Sequence, residues 1–243
     1  MKTLTLSITK KAKVYYRSNK KQCFCCNTPS RHTLCDICQN GIEENALCCR
    51  LCQEPTATSL TLCGKCQVCP PKYHQVIAPY LYQGLIQALI KRLKFANNTY
   101  SAQLLCELLT PKLIDYYSQH GNNIWPQALI YVPSHPRRIR ERGFCHMALL
   151  AKTLAKQLPV EVAILKNSLI KQLHQPAQHT QDKQQRQKMN NKTFFLQGYL
   201  PEYIVLLDDV MTTGTTVNTC VATLLSSGPK KIDVWCFART AAF

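Results

Sequence analysis

The run Val205-Leu206-Leu207-Asp208-Asp209-Val210-Met211-Thr212-Thr213-Gly214-Thr215-Thr216-Val217 decides how this chain is read. The apolar residues over 203–207 predict a strand, and two adjacent carboxylates follow it. A short Thr/Gly loop comes next and opens a helix over 215–226, which Gly228 and Pro229 close. Open α/β sheets bind ligands beyond the carboxyl ends of their strands. A helix N-terminus with free N–H groups and neighbouring hydroxyls suits a phosphate dianion. Gly214 permits positive φ or close backbone approach. Carboxylates so placed suit sugar hydroxyls, and they also suit a hydrated Mg²⁺. The plainer reading of the same residues is an ordinary strand–loop–helix with Thr capping the helix.

Working outward, short apolar runs over 76–82, 128–132, 160–165 and 232–238 predict further strands. Leu85, Ile86, Leu89, Ile90 and Leu93 follow the helical period, as do leucines over 104–117 and the segment 144–158. Strands alternating with helices predict an α/β fold with a mostly parallel sheet flanked by helices. The stretch 171–192 is rich in Gln, Lys and Asn with almost no apolar content and reads as a long mobile loop, not a core element. It carries His174, His179, Lys183 and Arg186, which read from the residues alone as part of a solvated loop. No apolar run nears the ~20 residues of a membrane span. Residues 1–21 lack a continuous apolar core, so export is not expected and the chain reads as cytoplasmic.

A second segment, Tyr131-Val132-Pro133-Ser134-His135-Pro136-Arg137-Arg138, follows a predicted strand, and Arg140-Glu141-Arg142-Gly143-Phe144 leads into a helix. Loop amides and guanidinium groups at a strand end suit a pyrophosphate, for which Ser134, His135, Arg137, Arg138 and Arg142 are the candidates. A solvated basic loop is the alternative. His135 and His146 have no second ligand at metal spacing and read as loop and helix-surface residues.

Eleven of the 15 cysteines lie between Cys23 and Cys69. Four pairs have C-x-x-C spacing: Cys23/Cys26, Cys35/Cys38, Cys49/Cys52 and Cys63/Cys66. One tight turn can present two thiolates to one ion, and two turns complete the S₄ shell of structural zinc. Eight thiolates predict two Zn²⁺ sites, closed and non-catalytic, as two tandem zinc ribbons over 22–72. Whether the pairs share ions in sequence or crossed is open at this level. A disulfide framework or another metal is the competing reading, and the former needs an oxidising compartment. Cys25, Cys48 and Cys69 fall outside the pattern. Pro70-Pro71 marks a boundary, with the α/β domain over 73–243 and a basic arm over 1–21.

The formal net charge is +17. It is local: residues 1–21 carry seven Lys/Arg and no acid, and 131–158 carry six against one. Two tetrathiolate zinc sites would leave about +13. Such a field attracts phosphate backbones; an anionic lipid surface is a further option. Tyr15, Tyr16, Phe24 and Tyr73 lie near basic or Cys-rich segments, where they could stack on bases or serve the core.

The 205–217 run resembles the phosphoribosyl-pyrophosphate (PRPP) motif of type I phosphoribosyltransferases. The resemblance implies that Asp208 and Asp209 hold the ribose hydroxyls and that Thr212, Thr213, Gly214, Thr215 and Thr216 cradle the 5-phosphate. It also implies Mg²⁺ accompanying the pyrophosphate. The four cysteine pairs, Leu93-Lys94-Phe95, the arginine segment and the acid pair together resemble the ComF competence proteins and their GntX relatives. That family joins a double zinc ribbon to a phosphoribosyltransferase domain. Arg142-Gly143-Phe144 match its Arg-Gly-Phe-Asn-Gln signature, and Cys145-His146 stand where it has Asn-Gln. The resemblance spans about 22–240 and implies a role in natural transformation. The chain would handle incoming single-stranded DNA in the cytoplasm beside competence-machinery proteins. A nucleobase salvage enzyme, and a zinc-ribbon DNA-binding protein with a catalytically silent sheet, are the alternatives.

Overall fold

The computed structural model describes residues 22–58, 61–96, 98–120, 123–166, 168–171 and 194–241. The basic arm with Tyr15 and Tyr16, and the loop residues His174, His179, Lys183 and Arg186, lie outside the described residues. The chain divides into two compact units, 1–42 and 43–243. The division falls inside the Cys-rich segment and assigns two cysteine pairs to each unit.

In the first unit, Cys23 starts a tight turn. Its N–H donates to Thr28 O, its carbonyl accepts from Asn27 N–H, and Asn27 adopts φ 60°. A bridge pairs Gln22 with Pro29. Cys35 then caps the short helix α1 (Asp36–Asn40). The second unit opens with the same device. Cys49 N–H donates to Glu54 O, Gln53 N–H to Cys49 O, Gln53 has φ 56°, and Cys48 pairs with Pro55. Cys63 caps α2 (Gly64–Val68).

The rest of the second unit is a parallel sheet of β1 (Gln75–Ile77), β2 (Tyr80–Leu81), β3 (Ala128–Tyr131), β4 (Ala163–Ile164), β7 (Tyr203–Met211) and β8 (Lys231–Arg239). The order is β1-β8-β7-β3-β4, with β2 also on β8. Its helices are α3 (Gly84–Phe95), α4 (Thr99–Gln119), α5 (Pro136–Arg142), α6 (His146–Ala155) and α7 (Thr215–Leu225). A separate antiparallel pair joins β5 (Leu169–Lys171) to β6 (Phe194–Leu196). The two strands flank the stretch 171–192, and three-residue strands carry too little alternation to be read from sequence.

β7 is buried on both faces at Ile204–Leu207, as a central parallel strand must be. On one face Ala128, Ile130, Ile204, Leu206, Ile232 and Val234 pack with Val217, Cys220, Val221 and Leu224 of α7. Cys49, Cys52, Cys63 and Cys66 join that same core, beside Tyr73, Val76 and Ala78. Tyr73 is 4% exposed and is a core residue, which removes it from any base-stacking role. The opposite face carries α3, α4 and α6, where buried Asp233 accepts hydroxyls from Tyr117 and Tyr203 and pairs with His74 Nδ1.

Candidate functional site

The sheet order places the site. From β3 the chain crosses through α5 and α6 to β4 on one side; from β7 it crosses through α7 to β8 on the other. The loops after β3 and β7 therefore diverge around a crevice at the sheet's topological switch point. Register brings them level: Tyr131 pairs with Leu207, and Val132 N–H donates to Leu207 O at 2.9 Å. The Ser134–His135 loop and the acid pair are thus neighbours.

β7 does not end at Leu207 as the sequence reading had it. It continues through both acids to Met211, because Asp208, Val210 and Met211 stay in register with Cys236, Ala238 and Arg239. Successive side chains of a strand alternate in face. Asp209 accordingly reaches the α3/α6 side, where its Oδ2 accepts from His146 Nε2 at 2.8 Å and lies 2.5 Å from Lys94 Nζ. Asp208 stays partly buried, its Oδ1 accepting from Asp209 N–H at 2.9 Å. Burial, and then the negative charge of Asp209, push the Asp208 carboxyl up to about 8. Burial acts against Asp209 ionising too, but the His146 hydrogen bond and the Lys94 charge outweigh it and hold its carboxyl below the usual range.

His146 is 5% exposed and sits in this centre, not on the helix surface. Arg142 Nη1 lies 3.0 Å from His146 Nδ1. Guanidinium only donates, so Nδ1 must accept and the ring is the neutral Nε2–H tautomer that donates to Asp209. A glutamine amide offers the same donor and acceptor, which gives a physical account of histidine at that position. Arg142 also lies over the Phe95 ring at 5.5 Å. The sequence reading missed Lys94 and His146 as site residues. Their signal was the Lys94-Phe95 motif and the place of His146 directly after the Arg142-Gly143-Phe144 signature.

The phosphate-type loop is formed as its residues dictate. Gly214 caps α7 at φ 79°, and a Cβ there would meet Met211 Cε at 2.8 Å. Thr212, Thr213, Thr215 and Thr216 are exposed around it, with the Thr213 and Thr215 hydroxyls 2.9 Å apart. On the other side of the crevice, His135 caps α5, its Nδ1 accepting from Arg137 N–H at 3.1 Å. Arg137 Nε pairs with Glu141 on the surface at 2.8 Å, Arg138 is exposed, and Ser134 is partly buried at the loop's start.

The cysteines form two groups in sequential order, Cys23/Cys26/Cys35/Cys38 and Cys49/Cys52/Cys63/Cys66, each with its sulfurs within 4.8 Å of one another. Cys26 and Cys35 Sγ are 3.6 Å apart, as are Cys52 and Cys63. Metal–sulfur bonds of 2.3 Å in a tetrahedron require about 3.8 Å between sulfurs, so the groups fit an ion such as Zn²⁺. Backbone N–H groups point at the sulfurs, Cys63 N–H to Cys49 Sγ at 3.2 Å among them. Against the opposing effect of burial, such donors lower Cys23 to about 6 and Cys49 to about 7. Cys25, Cys48 and Cys69 lie outside both groups.

These features define the class: an α/β protein with a mostly parallel sheet and zinc-ribbon-type cysteine clusters toward its N-terminus. No family model matches the chain. It is similar to the DNA utilization protein YhgH of Salmonella typhimurium, 28% identical over 224 residues that cover 90% of this chain and 96% of that protein. YhgH of Escherichia coli K12 is 27% identical over the same shares. Competence protein F of Haemophilus influenzae is 28% identical over 214 residues, 86% of this chain and 92% of that protein. Over 86–90% of its length the chain is thus similar to DNA utilization and competence proteins. Among the described residues no helix is long and apolar enough to cross a membrane.

Proposed function

We propose that this protein handles single-stranded DNA in the cytoplasm during DNA uptake or utilization, and that its sheet edge binds Mg²⁺-PRPP or a related phosphorylated ribose. The observation that carries the second part is the hydroxyl-lined loop at the α7 N-terminus, opened by Gly214 and set at the switch point beside two carboxylates. In this reading Thr212–Thr216 hold the 5-phosphate, and Asp208 and Asp209 orient the ribose. Ser134, His135, Arg137, Arg138 and Arg142 face the pyrophosphate. Mg²⁺, when bound, supplies charge neutralisation to a departing pyrophosphate. The DNA part is supported by the names of the relatives and by the net charge of +17.

One observation favours a second reading. Asp209 is already engaged by Lys94 and His146, so the sheet could bind a ribose phosphate without transferring it, leaving DNA binding as the activity. Calorimetry with Mg²⁺-PRPP tests the site; no heat of binding at millimolar ligand refutes both readings of the sheet. Pyrophosphate release with candidate acceptors then separates transfer from binding alone. For the nucleic acid, affinity for a single-stranded oligonucleotide should fall steeply with salt. Binding without a salt slope would contradict the charge argument.

A further inference from the structure

Arg239, the last residue of β8, is 2% exposed, and a buried guanidinium must be fully partnered to be tolerated. Apart from the carbonyl of its neighbour Thr240, at 3.3 Å from Nη1, its partners come from two places. Nε donates to Cys52 O at 3.2 Å, and Nη2 is paired with the buried Glu54 carboxylate. Both acceptors belong to the turn that carries Cys49 and Cys52. Nη1 donates to Met211 O at 2.9 Å and to Thr212 O, the two carbonyls that lead into the phosphate-type loop. Thr240 N–H adds a further bond to Met211 O at 3.1 Å. The turn is fastened to the sheet a second time, by Val76 N–H to Leu51 O at 3.3 Å. One planar fork thus bridges the second cysteine cluster and the loop. A lysine could not do this, since a single ammonium cannot span acceptors on both sides.

We propose that Arg239 and Glu54 are positioning residues through which the second cysteine cluster sets the phosphate-type loop, so that a metal ion at Cys49, Cys52, Cys63 and Cys66 and a phosphate at Thr212–Thr216 bind cooperatively. A metal ion that holds the turn fixes Cys52 O and Glu54, and hence the fork and the carbonyls of Met211 and Thr212. By linkage, an anion that orders the loop stabilises the turn in return. The phosphate half rests on the reading of the sheet edge given above; the brace itself does not.

The test compares the zinc-loaded full chain with Glu54→Gln and Arg239→Lys, each checked to retain two equivalents of zinc. Amide hydrogen exchange over 211–216 should speed up about tenfold in either variant, and in the wild type after chelation, in the usual range of coupling between sites. Binding of Mg²⁺-PRPP should weaken about tenfold alongside. In the cobalt-loaded wild type, adding Mg²⁺-PRPP should shift the thiolate–cobalt absorption, and Arg239→Lys should abolish that shift. Unchanged loop exchange in both zinc-retaining variants overturns the brace. Should Glu54→Gln lose metal, Arg239→Lys, which lies outside the turn, decides alone. If Mg²⁺-PRPP fails to bind the wild type, the ligand reading fails while the exchange result still judges the brace.

Discussion

At the scale of single residues, Asp208 and Asp209 are neighbours in sequence and opposites in environment. Asp209 has a cation and a neutral histidine donor; Asp208 has a backbone N–H and the repulsion of Asp209. The Asp208 pKa in the fold, about 8, lies above the value near 4 of an exposed carboxyl. The folded state therefore holds a proton that the unfolded state releases, and this group's stabilisation is complete in acid and lost as pH rises through about 8. Asp208→Asn cannot ionise, so its melting temperature should fall less than that of the wild type between about pH 4 and 8. Equal slopes in a thermal melt series would show that Asp208 is not held protonated. The tautomer argument for His146 gives a sharper contrast. His146→Gln keeps a donor for Asp209 and an acceptor for Arg142 and should be near neutral. His146→Leu strands both and should cost about 1–3 kcal/mol in urea denaturation.

At the scale of elements, the start of α7 depends on a left-handed residue. Gly214→Ala adds a Cβ at φ 79° that meets Met211 Cε at 2.8 Å. It should lower stability by about 1–2 kcal/mol and weaken Mg²⁺-PRPP binding more than Thr216→Ser does. An unperturbed Gly214→Ala protein would mean that the loop adopts another conformation. β8 carries a different constraint. Asp233 is fully buried and accepts from Tyr117 and Tyr203, with Trp235 Nε1 donating to the Tyr117 hydroxyl at 3.0 Å. Tyr117→Phe removes the link and should cost about 1–3 kcal/mol, read from the denaturation midpoint. The sequence placed β8 through its apolar residues, yet Asp233 gave no sign of this network, because its tyrosine partners are 116 and 30 residues away.

At the scale of the whole molecule, the second cysteine cluster belongs to the sheet's core and not to a detachable ribbon. Cys63→Ser should therefore drop the zinc count from two to one and also lower the urea midpoint followed by the fluorescence of buried Trp235. An unchanged midpoint would detach the cluster from the core. The two clusters also share a pattern that the sequence reading did not pick out: Cys23-x-x-Cys26-Asn27-x-Pro29 and Thr33-Leu34-Cys35-x-x-Cys38-Gln39 recur as Cys49-x-x-Cys52-Gln53-x-Pro55 and Thr61-Leu62-Cys63-x-x-Cys66-Gln67. What the sequence determined by itself was local or periodic: the α/β alternation, the strand–acid–Thr/Gly–helix run and the thiolate spacing. Each follows from residues within a turn or two of one another. Only the tertiary structure decided that the strand runs on through both acids, since cross-strand register, not apolar content, extends it. Likewise Lys94 and His146 meet Asp209, and Arg239 meets Cys52, over separations of 63 to 187 residues, and packing alone brings such groups within reach.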